Sequence, residues 1–548
     1  MQSAQKWLAQ KANHSVLFLL VGGLLFRGVI AFWLYPGFDE AYYYLYSLHL
    51  DWSYFDHPVL VALTTGFGPW VTGEVSQFTI RLGPLILHTG SLVLLYLTSA
   101  KLFCAKAARL TLAIATIIPI FQVAFGILTL PDSPLMFFWS ASLCCAAYEF
   151  FPEPSNQEHT LSESVPYRPS DRLSYLGILV GLACLGKYHG FILGLGLVGF
   201  CLTSPRHRSA LLSPWAWLGL GLFVITIFPI LFWNMQHDWV SFGFQLKRGV
   251  PKDDYKLLGV GVVFLTDLAY LFPTLGLPLW WVSLRSGLAQ ATQLFSKKSL
   301  TYTGELHQKQ LLILWVSLPL ILGFTLMGGY QQILPTWPMP GFWSATLLLG
   351  QQAVSWQQQS PRRVRRWLRG SGIVVCSGLL VALLHVATGT LQKPSQYALL
   401  GGFWPPEDDP STELIDIKQL RRGFAESPVL SAALQNSSFI FTNRYYLGGQ
   451  VAMALTPLTQ TPITCLDKDL RGFAFWSRSD QWLGKDALYV TPASFHRKKS
   501  PLARYQTYFS SLQEIGTVPI RRGGAVTQVI SVYQAKTLLK PYPRRYGL

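Results

Sequence analysis

The sequence predicts a polytopic α-helical membrane protein of about eleven transmembrane helices, followed by a smaller extracytoplasmic α/β domain. Half of the 548 residues are hydrophobic and only 13% are charged, whereas a soluble surface needs roughly a quarter of its residues charged. Apolar stretches long enough to cross a bilayer recur up to residue 391. Beyond that point charged residues, Asn, Ser and Pro become more frequent and the apolar runs shorten. We therefore expect a transmembrane domain over 1–391 and an α/β domain over 392–548.

The individual spans follow from the lengths of the apolar runs, because a hydrocarbon core of about 30 Å needs about 20 apolar residues per helix. The fifth and sixth runs are short and meet at Gly186–Gly190, which predicts a helical hairpin with a tight turn. The predicted spans are 15–36, 79–102, 107–128, 134–151, 173–186, 189–204, 211–233, 256–284, 310–328, 334–352 and 371–391.

The distribution of Lys and Arg predicts the orientation. One set of alternate loops is rich in basic residues, whereas the other set holds few. The positive-inside rule then places the N-terminus in the cytoplasm, and an odd number of spans places the C-terminal domain outside. We expect a multi-pass protein of the plasma (inner) membrane whose first apolar run is a retained anchor. The basic residues of the poorer set are Lys187, Lys247, Arg248, Lys252 and Lys256.

Two compositional features argue against other classes of protein. The net charge of +17 does not predict a nucleic-acid partner, because the basic residues lie in short runs between apolar stretches. The seven cysteines show no CxxC or Cys/His zinc spacing.

The C-terminal part shows strand and helix patterns. Segments 438–442, 487–490 and 525–533 are rich in β-branched and aromatic residues and predict strands. Segment 444–455 predicts a helix. These elements indicate a small α/β domain.

The first predicted outer loop, 37–78, is acidic and contains neither Lys nor Arg. Asp39 and Glu40 lie where the first span ends, just before an aromatic stretch. A carboxylate at the membrane boundary in apolar surroundings has a raised proton affinity, which suits it to accept a proton from a hydroxyl. The alternative is an interfacial helix cap whose Tyr residues belong to the aromatic belt.

Two further acidic positions lie on the same predicted face. Asp56 and His57 are adjacent in Tyr54–Pro58, and such a pair can bind a divalent metal or steer a phosphate. It can equally be a cap before a helix that begins with proline. Asp132 lies in a tight turn between the third and fourth spans, where a helix start is the alternative.

Cations on this face go against the topological trend. Lys187 lies in the hairpin turn, and Lys247 and Arg248 follow the segment that holds His237. A phosphate anion at the outer membrane surface would explain them. Ion pairs with lipid headgroups or with the acidic loop would explain them equally well.

In their order and spacing, these motifs resemble the GT-C glycosyltransferases, in particular the bacterial branch of the dolichyl-phosphate-mannose protein mannosyltransferase and aminoarabinose–lipid A transferase clan. The resemblance covers most of 15–350 and rests on the Asp39–Glu40 pair, YFDHP, PDSPLMFFW, GKYHG and QQILPTWPMP. It implies the GT-C fold and an inverting transfer of a sugar from a polyprenyl-phosphate carrier to an acceptor hydroxyl on the outer face.

The resemblance also implies roles for the acidic residues. Asp39 would be the general base on the acceptor hydroxyl, with Glu40 beside it in the catalytic acidic pair. Asp132 matches a second acidic position that organises the site. Asp56 stands where the lipid A transferases have a glutamate, and together with His237 it could hold a metal.

The donor phosphate contact departs from the family pattern. His57 stands where the lipid A transferases have a lysine near that phosphate. Lys187 and Arg248 are the substitutes that this sequence offers.

The implied partners are a polyprenyl-phosphate-linked sugar donor and a lipid, glycan or protein acceptor. No Gly-rich phosphate loop is present to hold a soluble nucleotide sugar, and a divalent metal is left open as a cofactor. The alternative is a transporter or flippase of lipid-linked sugars, which would place charges near the bilayer midplane. Within the predicted spans, only Arg27 and Asp267 offer such charges. A third possibility is a catalytically inactive scaffold or sensor.

Overall fold

The computed structural model describes residues 11–152, 167–250, 254–295, 304–496 and 500–547. Within them, a helical region extends to Thr388 and a region with one five-stranded sheet follows. A 3-10 turn, Thr79–Arg81, leads into α4. The helices of the first region are α1 (Lys11–Trp33), α2 (Phe38–Leu48), α3 (Leu60–Thr72), α4 (Leu82–Leu102), α5 (Ala105–Ile117), α6 (Asp132–Phe150), α7 (Arg172–Gly186), α8 (Gly190–Thr203), α9 (Ser209–Leu212), α10 (Pro214–Gln236), α11 (Val240–Gly249), α12 (Leu257–Leu271), α13 (Pro273–Phe295), α14 (Glu305–Met327), α15 (Met339–Gln359) and α16 (Pro361–Thr388).

Each predicted span coincides with helix, but two of them are interrupted by proline. The predicted span 107–128 ends as an α-helix at Ile117 and continues as a π-helical turn, Phe121–Phe125. The predicted span 256–284 is two helices that meet at Phe272, whose φ is +68°. In both cases the residue before the proline leaves the helical conformation, since the proline ring clashes with it there.

Some helices of the first region are long enough to cross a membrane. Among the described residues, five helices are long and apolar enough to cross a membrane. Three shorter apolar helices, α7, α8 and α12, accompany them. The number of eleven spans stays a prediction. The five long helical segments are Asn13–Trp33, Thr79–Leu102, Pro214–Gln236, Glu305–Met327 and Pro361–Thr388.

The second region is a mixed sheet with helices around it. Its strand order is β2-β1-β3-β5-β4, in which β1 runs parallel to β2 and β3, and β5 runs antiparallel to β3 and β4. The three predicted strands and the predicted helix are present, whereas β2 and β4 were not predicted. The elements are α17 (Ile417–Glu426), α18 (Pro428–Asn436), β1 (Phe439–Thr442), α19 (Tyr445–Leu455), β2 (Ile463–Cys465), α20 (Phe473–Trp476), β3 (Ala487–Pro492), α21 (Ser500–Gln506), β4 (Phe509–Arg522) and β5 (Ala525–Leu538).

The sheet region packs directly on the first loop of the helical region. Buried side chains of α2, such as Tyr42 and Leu45, share one apolar cluster with Leu447 of α19 and Phe473 of α20. At Gly449 a Cβ atom would lie 2.3 Å from the carbonyl carbon of Ala41, so the backbones of α19 and α2 touch. The predicted boundary at 391–392 falls just after α16, and the two regions on either side of it share a core.

Candidate active site

Glu40 anchors the start of α2. Its carboxylate accepts bonds from Arg81 Nε at 2.7 Å and Nη2 at 2.6 Å, from the backbone N–H of Thr129 at 3.0 Å and from that of Gly37 at 2.9 Å. Glu40 and Arg81 are both buried, and Arg81 also donates to backbone carbonyls at the end of α1 and just after it. This full set of partners leaves Glu40 no free lone pair for a substrate. These contacts hold the loop in place, and the catalytic role of Glu40 beside Asp39 stays a prediction.

Asp39, the neighbour of Glu40, is arranged differently. Asp39 is an exposed residue, and within the described residues its carboxylate accepts no hydrogen bond. Desolvation by the surrounding protein raises the pKa of Asp39, while Arg471 and Arg248 oppose that shift. Asp39 is thus an accessible carboxylate with a raised proton affinity.

Asp132 and Lys187 form a buried ion pair. Lys187 Nζ lies 2.8 Å from Asp132 Oδ1 and 2.9 Å from Oδ2, and neither side chain is more than 7% exposed. The pair forms because the end of α7 approaches the start of α6 closely: a Cβ at Gly186 would lie 2.6 Å from the backbone nitrogen of Leu135. Asp132 therefore orients Lys187 at the turn between α7 and α8.

A cavity of about 150 Å³ brings together the three residues predicted to contact a donor phosphate, which are His57, Lys187 and Arg248. Two of its walls are the α7–α8 turn and α11, and a third comes from α14 and the segment before α15. The lining residues are His57, Lys187, Tyr188, His189, Gln245, Arg248, Gly249, Phe324, Met327 and Trp337.

Arg248 and His57 contribute differently to this cavity. The Arg248 guanidinium lies 5.3 Å from the ring centroid of Phe244 and 5.5 Å from that of Trp337, and no ion pair joins it to a carboxylate in the described part of the chain. Burial lowers the pKa of His57 to about 3, with Asp56 opposing and the neighbouring cations reinforcing that shift. His57 is therefore neutral near pH 7, and it can offer an N–H group but no charge.

Asp56 is held by a residue that sequence reasoning did not identify. Arg471, in the loop before α20, donates from Nη1 to Asp56 Oδ2 at 2.9 Å, and Tyr46 donates to Oδ1. Tyr42 also lies within hydrogen-bonding distance of Oδ1, at 3.4 Å. Asp56 and Arg471 are 415 positions apart, so no local pattern could have linked them.

The structure does not support the expected metal pair of Asp56 and His237. The Asp56 carboxylate is occupied by Arg471 and Tyr46, whereas His237 stacks on Trp233 at 4.1 Å and donates from Nδ1 to the carbonyl of that residue at 2.8 Å. In the segments that the structure covers, no three His, Cys, Asp or Glu side chains form a group that could hold a metal ion.

The catalytic candidates converge on one region. Arg248 lines the cavity beside Lys187, which binds Asp132, and Arg248 is also an electrostatic neighbour of Asp39. The backbone N–H of Thr129, three residues before Asp132, donates to Glu40, so the two acidic loops are in contact. The loops that carry Asp39 and Asp132 are thus in contact, on the face where the sheet region packs.

Known proteins resemble this chain in sequence and in fold. The sequence model of the dolichyl-phosphate-mannose-protein mannosyltransferase family matches residues 43–243. The lipid A galacturonosyltransferase RgtD of Rhizobium johnstonii is 23% identical over 351 residues, which are 61% of this chain and 64% of that protein. The matched part of the chain thus spans less than two thirds of the length of this relative.

Crystal structures of ArnT from Cupriavidus metallidurans have the same fold over nearly the whole chain. The apo structure superimposes with a TM-score of 0.60 at 16% identity, covering 95% of this chain and 98% of that one. The structure bound to undecaprenyl phosphate gives a TM-score of 0.58 at 14% identity, with the same coverage. In sequence, this chain is thus similar to glycosyltransferases over part of its length, and its fold is ArnT-like.

Proposed function

We propose that the protein is an inverting glycosyltransferase that moves a sugar from a polyprenyl-phosphate carrier to an acceptor hydroxyl on the extracytoplasmic face of the membrane. One observation carries the proposal: the accessible carboxylate of Asp39 is an electrostatic neighbour of Arg248, which lines the cavity beside Lys187 and forms no ion pair with any described residue. A base and a cationic phosphate pocket are the two elements that this reaction needs.

Asp39 would act as the general base. The reaction replaces the bond between the anomeric carbon and the phosphate oxygen with a bond to the acceptor oxygen, and the acceptor proton passes to a carboxylate oxygen of Asp39. A raised pKa makes Asp39 a stronger base than an ordinary aspartate. Attack from the face opposite the phosphate would invert the anomeric configuration.

The leaving group would be held by the cavity. As the bond breaks, negative charge accumulates on the prenyl phosphate, and fixed cations in a partly dry site stabilise it. Arg248 offers a full charge and a planar set of donors that suits phosphate oxygens. Lys187 stays oriented by Asp132, and neutral His57 would add an N–H donor.

The proposal is tested with purified full-length protein and undecaprenyl phosphate that carries a radiolabelled sugar. Galacturonic acid and mannose form the first donor panel, with lipid A and a membrane-protein extract as acceptors, because the relatives named above act on such substrates. We expect label to move to one acceptor and to depend on Asp39, with Asp39→Asn lowering the rate by a factor of about 10² to 10⁴.

Two outcomes would contradict the proposal. Full transfer activity in correctly folded Asp39→Asn would show that Asp39 is not the general base. Movement of the labelled lipid across sealed vesicles without covalent transfer to any acceptor would favour the flippase alternative.

A further inference from the structure

Arg471 enters the site from the sheet region, although the other candidate residues belong to the helical region. Its guanidinium bonds Asp56 at 2.9 Å, lies 4.0 Å above the ring of Tyr445 and lies 5.8 Å from the ring of Phe244. The ring of Phe244 also faces Arg248. Arg471 and Arg248 therefore have the Phe244 ring as a common neighbour, and both act electrostatically on Asp39.

The backbone of Arg471 is held in an unusual conformation. Its φ is +44°, in the left-handed region that L residues rarely adopt. Its N–H donates to the Tyr546 hydroxyl at 3.0 Å, and the next N–H, of Gly472, donates to the Tyr42 hydroxyl at 2.9 Å. Tyr42 in turn lies close to Asp56. Such a conformation persists only where the surrounding structure stabilises it. The hydrogen bonds to Tyr546 and Tyr42 therefore fix the position of the Arg471 side chain.

The charged neighbours of Asp39 come from both the helical region and the sheet region. Glu40 and Asp56 contribute negative charge, whereas Arg248 of α11 and Arg471 contribute positive charge. The electrostatic neighbours also include two tyrosines, Tyr43 of α2 and Tyr445 of α19. Arg471 has the largest charge effect on Asp39, and it is anchored by the carboxylate of Asp56.

We infer that Arg471 is a positioning residue for the reaction: held by Asp56, it keeps Asp39 ionised, so the sheet region completes the active site. The inference rests on the proposed function, in which Asp39 is the base. Arg471 opposes the desolvation that raises the pKa of Asp39. Without that opposition, a smaller fraction of Asp39 would be ionised and able to accept a proton at neutral pH.

The experiment measures the titration of Asp39 directly and needs no sugar donor. In infrared difference spectra of the full-length protein, the carbonyl band of a protonated carboxyl that disappears in Asp39→Asn reports Asp39. We expect the midpoint of that band to move up by about one pH unit or more in Arg471→Gln, and by less in Arg471→Lys. The matched control is Arg478→Gln, because Arg478 is exposed and pairs with Asp480 on the surface.

A second variant keeps the positive charge but changes the shape of the cation. If Arg471→Gln fails to fold, Arg471→Lys decides the question, because a lysine can form only part of the contacts of the guanidinium with Asp56 and Tyr445. An unchanged midpoint in every folded Arg471 variant would overturn the inference.

A kinetic readout separates the inference from the proposed function. With whichever donor and acceptor support transfer, the acid limb of the kcat/KM profile should shift by the same amount as the infrared midpoint. Retained activity in Asp39→Asn would contradict the proposed function. Loss of activity in Asp39→Asn, together with an unmoved limb in Arg471→Gln, would contradict only the role of Arg471.

Discussion

Replacing each of two adjacent carboxylates by its amide should separate stability from activity. Glu40→Gln is expected to destabilise the fold, whereas Asp39→Asn is expected to lower the transfer rate by a factor of about 10² to 10⁴ without destabilising the protein. The difference follows from their partners: Glu40 accepts four N–H groups, and the carboxylate of Asp39 accepts none among the described residues.

The size of the Glu40→Gln effect can be worked out from its contacts. If the amide nitrogen replaces Oε1, it confronts Arg81 Nε and the N–H of Thr129. If it replaces Oε2, it confronts Arg81 Nη2 and the N–H of Gly37. Either orientation opposes two buried donors at about 1–3 kcal/mol each and leaves the Arg81 charge uncompensated. We expect a loss of about 3–5 kcal/mol in the free energy of unfolding.

Asp39→Asn should raise the free energy of unfolding or leave it unchanged, whereas Glu40→Gln should lower it. Because the pKa of Asp39 is raised in the folded state, its ionisation above the unfolded-state pKa works against folding. The amide removes that cost, so the free energy of unfolding at neutral pH should be unchanged or slightly higher.

The measurement is urea-driven unfolding of the purified protein in detergent, followed by tryptophan fluorescence, alongside the transfer assay. Glu74→Gln is the matched control, since Glu74 is exposed on the same loop and should change stability by less than about 0.5 kcal/mol. The reasoning fails if Glu40→Gln is as stable as this control, or if Asp39→Asn is the less stable of the two amide variants.

Three further predictions concern the cavity, the packing of the sheet region and pH. Arg248→Gln should weaken the binding of undecaprenyl phosphate by about 10-fold to 100-fold, as expected for a lost charge-assisted hydrogen bond. The control Lys247→Gln changes an exposed neighbouring residue and should not weaken binding. Equal affinities of the two variants in an equilibrium binding assay would contradict this prediction. Gly449→Ala should lower both stability and transfer activity, because its Cβ would lie 2.3 Å from the backbone of α2. The control Gly243→Ala, which has open space around it, should change neither property. Thermal unfolding measures the stability of both variants, and the transfer assay measures their activity. The acid limb of kcat/KM should have its midpoint above about pH 3.9, the ordinary aspartate pKa, because burial raises the pKa of Asp39; a midpoint at or below that value in the pH–rate profile would refute the assignment.

Local patterns predicted most of the helical framework. Apolar runs of bilayer length and the prolines that interrupt them act through near neighbours, so the positions of the helices could be inferred from the sequence. The breaks at Ile118 and Phe272 were missed, although Pro119 and Pro273 were visible in the chain. Strand β4 was missed because its apolar alternation is irregular and its pairing with β5 contains register shifts.

By itself, the sequence determined which loops we propose to carry chemistry: the acidic loop that begins at Asp39, the turn that holds Asp132, and the cations Lys187 and Arg248. Tertiary structure decided what each of these groups contacts. Glu40 forms an ion pair with Arg81, and His57 is neutral because it is buried. Arg471, which lies far from Asp56 in the sequence, forms an ion pair with it. Ionisation and hydrogen bonding depend on every group that surrounds a side chain in space, and those neighbours are set by the packing of the whole chain.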